Sequence, residues 1–147
     1  LGGGAPEYIA AVLKVKSQMD SGMFKPLQLA AVEALNQSPE WFEELNSEYV
    51  RRRVAAGRIF KTLGAVYDHD TAGLFLWGRV PSEYAGNGMT AGEVLSERVL
   101  RQAGVFITPG FIFGKNGNDY IRISLCAKPE VLERANKKIE KVIKNIL

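Results

Sequence analysis

Several things are scarce in this chain, and each scarcity excludes something. There is one cysteine, Cys126, so no internal disulfide can form, and the expectation is a reducing compartment. There is one histidine, His69, so Asp68-His69-Asp70 has no second imidazole to complete a metal or acid–base cluster. Asp and Asn are common turn formers, and the tripeptide reads as a turn. The formal charge of +3 is too small to argue for nucleic acid, and its excess sits in the last helix, where a wet face accounts for it. No apolar run approaches the ~20 residues of a membrane helix. Leu1-Gly2-Gly3-Gly4 lacks the charged and apolar regions of a signal peptide, and no strand precedes it as a phosphate loop would require. The expectation is a cytoplasmic protein.

What is present describes a globular domain. Hydrophobic residues make up 46% and charged residues 24% of 147, enough for a buried core. Pro6 and Glu7 suit the first turn of a helix expected to bury Ile9, Val12, Leu13 and Met19 and to break at Ser21-Gly22. A second helix follows Pro26, with Leu27, Ala30, Ala31, Ala34 and Leu35 packed. Ser38-Pro39 is an N-cap followed by proline, which starts a third helix of ~25 residues running to Gly64. Arg51-Arg52-Arg53 spans most of one of its turns, so the charges fan out instead of converging.

Ala65 to Asp68 and Gly73 to Val80 read as strands. Thr90 with Glu93 is a capping box whose helix ends at Gly104. Strands are expected over Val105–Phe113 and Asp119–Leu125, joined at Asn116-Gly117, a strong hairpin signal. Pro129 opens a last helix with an apolar stripe of Leu132, Ala135, Ile139, Val142, Ile143 and Ile146. The order α, α, α, β, β, α, β, β, α predicts an α+β fold, a small sheet covered by helices on one face.

One strand carries chemistry. Ile121, Ile123 and Leu125 face one way, while Tyr120, Arg122 and Ser124 face the other. Arg122 is either a solvated arginine or a fixed guanidinium able to grip a carboxylate with two hydrogen bonds.

Gly104-Val105, Thr108-Pro109-Gly110, Phe113-Gly114 and Tyr120-Ile121-Arg122-Ile123-Ser124 together resemble the C-terminal signature of the fold-type I pyridoxal-phosphate-dependent aminotransferases of class I/II. The likeness extends upstream through Pro26 to Ala31, Tyr49 to Arg53 and Gly73 to Trp77. It implies that residues 1–35 are the tail of a large cofactor-binding domain. Residues 36–147 would be the small C-terminal domain, with 38–63 as the connecting helix. It further implies that Arg122 holds the α-carboxylate of the substrate, and that Ser21, Gly22, Met23 and Phe24 form a loop shaping the substrate pocket across a homodimer interface. The alternative for that loop is a plain helix connection with Met23 and Phe24 in the core.

The resemblance implies amino acid and 2-oxo acid substrates and pyridoxal 5'-phosphate as cofactor. The same scaffold also hosts β-lyases and decarboxylating synthases. Schiff-base chemistry needs a lysine and a phosphate cradle. None of the lysines here stands in the family's lysine motif, so no catalytic, cofactor-binding or metal residue is expected in this segment. Alone, it is expected to be inactive. The competing reading is a free-standing α+β module that binds carboxylates or a protein partner without catalysis.

Overall fold

A computed structural model describes residues 2–146 of the chain. It contains the helices α1 (Pro6–Met19), α2 (Lys25–Leu35), α3 (Pro39–Thr62), α4 (Ala91–Ala103) and α5 (Pro129–Ile146). The strands are β1 (Val66–Tyr67), β2 (Phe75–Arg79), β3 (Thr108–Pro109) and β4 (Tyr120–Ser124). The chain divides into two units, Leu1–Glu43 and Glu44–Leu147. Among the described residues no helix is long and apolar enough to cross a membrane.

In the first unit, Pro6 opens α1 and Lys16 pairs with Asp20 at 2.6 Å where it ends. The Asp20 carboxylate also accepts the Gly22 N–H at 3.0 Å, and Gln28 donates to the Met23 carbonyl at 2.8 Å. No residue of α1 or α2 is buried. Ile9, Val12, Leu13, Met19 and Leu27 therefore have no core to enter within this segment, as expected of side chains that pack on parts outside it. Two short helices have too little volume to enclose their own apolar stripes.

The second unit has the core. Its sheet is antiparallel throughout, in the order β1-β2-β4-β3. Burial alternates along β2 and β4, so Leu76, Gly78, Ile121 and Ile123 face inward. Ile59, Phe60 and Leu63 of α3, Leu95 and Val99 of α4, and Leu132 and Ile139 of α5 pack there. Gly78 is required on that face, because a Cβ there would stand 2.5 Å from two carbons of the Phe60 ring.

The capping box forms as expected. Thr90 accepts the Glu93 N–H at 3.4 Å, Glu93 accepts the Thr90 N–H at 3.3 Å, and Gly104 closes α4 at φ 63°. Thr90→Ala should lower the stability of this unit by about 1 kcal/mol in a urea melt. Ser38 caps α3 by accepting the Trp41 N–H at 3.4 Å.

β3 and β4 pair antiparallel as expected, but the tight turn expected at Asn116-Gly117 does not form. The sequence between β3 and β4 forms two 3₁₀ turns, Gly110–Phe113 and Lys115–Gly117, and only Gly114 between them has positive φ, at 116°. The reason is Gly117 itself. It lies against Gly110, where a side chain on either glycine would strike the other's carbonyl. The expected strand from Val105 to Phe113 shrinks to Thr108–Pro109 accordingly.

Candidate functional site

The outward face of the sheet is the candidate site. In the β2–β4 register, Phe75 stands opposite Ser124, Trp77 opposite Arg122 and Arg79 opposite Tyr120. These six side chains share the face turned from the core, since β2 alternates exposed and buried while β4 alternates half-buried and buried.

Arg122 is half-buried, and aromatic rings surround it. Its guanidinium carbon lies 4.2 Å from the Phe75 ring centroid and 4.1 Å from that of Phe113. The Trp77 ring is 6.0 Å away and meets Phe113 edge-on at 5.3 Å. Cation–π attraction of this kind strengthens as water is removed.

Several other arginines of the unit have oxygen partners, while Arg79 on the same face and Arg134, like Arg122, have none among the described residues. Arg52 donates to Glu48 at 2.8 Å and to the Leu125 carbonyl at 3.1 Å, Arg98 to the Ile146 carbonyl at 3.0 Å, and Arg58 to Glu133 at 3.3 Å. The Arg52 guanidinium beside Glu48 holds that carboxyl below the usual carboxylate range. Among the described residues, Arg122 takes part in no ion pair. Its planar donors are therefore free for an incoming carboxylate.

An open hollow of about 740 Å³ lies on the same face, lined by Val66, Asp68, Thr71, Phe75, Trp77, Arg79 and Tyr120 among others. Arg122 stands at its border, next to the two rings it shares with that lining. Asp68, in the lining, accepts the Asp70 N–H at 2.9 Å, and the His69 ring meets Tyr67 at a tilt, centroids 4.3 Å apart. The Asp68-His69-Asp70 turn is therefore a turn, as expected. Among the described residues no three side chains are grouped to hold a metal ion. Of Arg51, Arg52 and Arg53, the first two share Glu48 and the third donates to Thr71 at 3.2 Å.

Ser21, Gly22 and Met23 border an apolar hollow of about 860 Å³ within the first unit, with Leu13, Val32 and Leu35. Phe24 is 70% exposed and Met23 54%, so neither fills a core.

No protein-family model matches the chain. It is 34% identical over 136 residues to the LL-diaminopimelate aminotransferase of Natranaerobius thermophilus, covering 92% of this chain and 34% of that protein. The LL-diaminopimelate aminotransferase of Oleidesulfovibrio alaskensis is 35% identical over the same shares. Among solved structures, apo BacF from Bacillus subtilis aligns with a TM-score of 0.73 at 32% identity, over 95% of this chain and 36% of that one. The aromatic aminotransferase from Pyrococcus horikoshii aligns with a TM-score of 0.64 at 32% identity, over 80% of this chain and 31% of that one.

The chain has the sequence and fold of the C-terminal part of a fold-type I aminotransferase. It spans about a third of the length of the aminotransferases it matches. Pyridoxal phosphate, the cofactor of such aminotransferases, needs a lysine for its aldehyde and donors for its phosphate. Every described lysine is exposed, and none lines the hollow beside Arg122. The residues of this chain do not fit as the cofactor's cradle.

The rings around Arg122 are the part of the site that sequence reading missed. Phe75 and Trp77 alternate on β2 in a way that could have revealed an aromatic face. Phe113 could not be placed there while 105–113 was read as one strand.

Proposed function

We propose that this chain is the substrate-orienting C-terminal part of a pyridoxal-phosphate-dependent aminotransferase. In that enzyme an amino group passes from an amino acid to a 2-oxo acid. The observation that carries this is Arg122, a half-buried guanidinium in cation–π contact with two phenyl rings on an open sheet face and in no ion pair among the described residues. A carboxylate meeting its N–H edge would form two parallel charge-assisted hydrogen bonds. A two-point grip fixes rotation as well as position, and orientation of the reacting bond contributes to rate.

On this reading residues 1–35 are the tail of a larger domain that supplies the lysine and the phosphate cradle. Residues 36–147 form the small domain, with 38–63 as its connecting helix. The exposed apolar side chains of α1 and α2, and Ser21 to Phe24, would then be covered by that domain or by a second subunit of a cytoplasmic homodimer. Patches of this kind mark interaction surfaces. The names of the relatives favour transamination over the lyase and synthase chemistries of the same scaffold.

Two measurements test the reading. The intact protein should transfer amino groups from an amino acid to a 2-oxo acid in a coupled assay. The 147-residue chain alone, mixed with pyridoxal phosphate and borohydride, should give no stoichiometric adduct at a single lysine. An adduct of that kind would place the cofactor lysine in this chain and overturn the division of labour. A full-length gene product confined to these residues, binding carboxylates without turnover, would support the non-catalytic module instead.

A further inference from the structure

We propose that Phe75 and Phe113 are positioning residues that hold the Arg122 guanidinium in one plane, so that only its N–H edge is offered to substrate. The inference rests on the carboxylate-gripping reading of Arg122. The two ring centroids lie 4.2 and 4.1 Å from the guanidinium carbon, within cation–π contact for each. Phe75 is 41% and Phe113 49% exposed, so neither ring belongs to the core.

Both rings stand on fixed backbone. Phe75 is in β2, paired with Ser124 of β4. Phe113 ends a 3₁₀ turn whose start is tied to β4 by the Pro109–Ile121 pairing. Beyond it, Gly114 donates to the Phe111 carbonyl at 3.0 Å and accepts from Gly117 at 2.9 Å, and Gly117 packs on Gly110. Trp77, edge-on at 5.3 Å, backs the Phe113 ring. An arginine on an open strand would otherwise sample many rotamers. Two rings in contact with the guanidinium exclude many of them before substrate arrives. A lysine ammonium, without faces, gains no such guidance.

The first experiment is a double-mutant cycle in the intact enzyme. Phe113→Leu should lower kcat/KM about tenfold, with kcat falling and KM rising, while Phe113→Tyr, which keeps the ring, should stay within about threefold of the parent. In an Arg122→Lys background the same Phe113→Leu change should cost less than about twofold, because no flat group remains to be held. An equal loss in both backgrounds would show that Phe113 acts by another route and overturn the inference. Should Arg122→Lys itself be as active as the parent, the carboxylate reading fails, and the positioning inference with it. With Arg122→Lys impaired and Phe113→Leu normal, only the positioning inference falls.

A second measurement does not need activity. In the intact protein labelled with ¹⁵N-arginine, ring currents from the two phenyls should shift the Arg122 Nε–H resonance upfield of the other arginines, and Phe113→Leu should reverse much of the shift. A resonance in the range of exposed arginines would mean that the ring contact is absent in solution, which refutes the proposal.

Discussion

On the proposed function, Arg122→Ala in the intact protein should lower kcat/KM by roughly 30- to 5,000-fold, the equivalent of about 2–5 kcal/mol lost when one partner of a desolvated charge pair is removed. The loss should fall on both kcat and KM, because a carboxylate left without its fork is bound less tightly and oriented less well. Arg122→Lys should be milder but still impaired, since a point charge replaces a planar two-donor edge. The cofactor spectrum should be unchanged in both, because no residue of this face fits as part of the cofactor's cradle. Steady-state kinetics beside absorbance spectra would decide the matter. Near-normal efficiency in Arg122→Ala would leave the residue as a ring-contacting surface arginine with a structural role.

Much of this architecture was legible because local signals and tertiary packing agree. Thr90 with Glu93, Gly104 after α4, Ser38 before α3 and the stripe on α5 each have a local physical cause, and each element forms where its signal lies. The alternation around Arg122 placed it on the outward face for the same reason, a period of two against a one-sided core. Two things were hidden. The apolar stripes of α1 and α2 promise burial, and periodicity alone cannot say against what; it is the resemblance that puts the covering surface outside these residues. Asn116-Gly117 promises a tight turn, but the close approach of Gly117 to Gly110 is a long-range demand for small residues, and it outweighs local turn preference. Reading that stretch as a tight hairpin put Phe113 on a strand and concealed its contact with Arg122.

Gly92→Ala should destabilise the second unit by about 2 kcal/mol net, with a damaged site as its consequence. Gly92 is the second residue of α4, and its N–H donates to the Asn118 carbonyl at 2.9 Å. A methyl group there would collide with the Tyr120 carbonyl oxygen and lie 2.9 Å from its carbon and 3.1 Å from the Asn118 oxygen. These are backbone atoms of β4 and its approach, so no side chain can swing aside. Overpacking that forces backbone to move costs roughly 1–3 kcal/mol, and more where little can give. Alanine returns at most about 1 kcal/mol in helix propensity, less near a terminus, which is why the net effect keeps its sign. Gly86→Ala is the control, because a methyl group there meets nothing within 4 Å. Urea melts of the three proteins should rank Gly86→Ala with the parent and Gly92→Ala well below. The strand displaced by that methyl group is the one carrying Arg122, two residues beyond Tyr120. In the intact enzyme Gly92→Ala should therefore lower kcat/KM at temperatures where it is still folded, although Gly92 touches no substrate. A Gly92→Ala protein as stable as the parent would mean that α4 and β4 can separate freely, and that the sheet face is held by the aromatic contacts and not by the helix behind it.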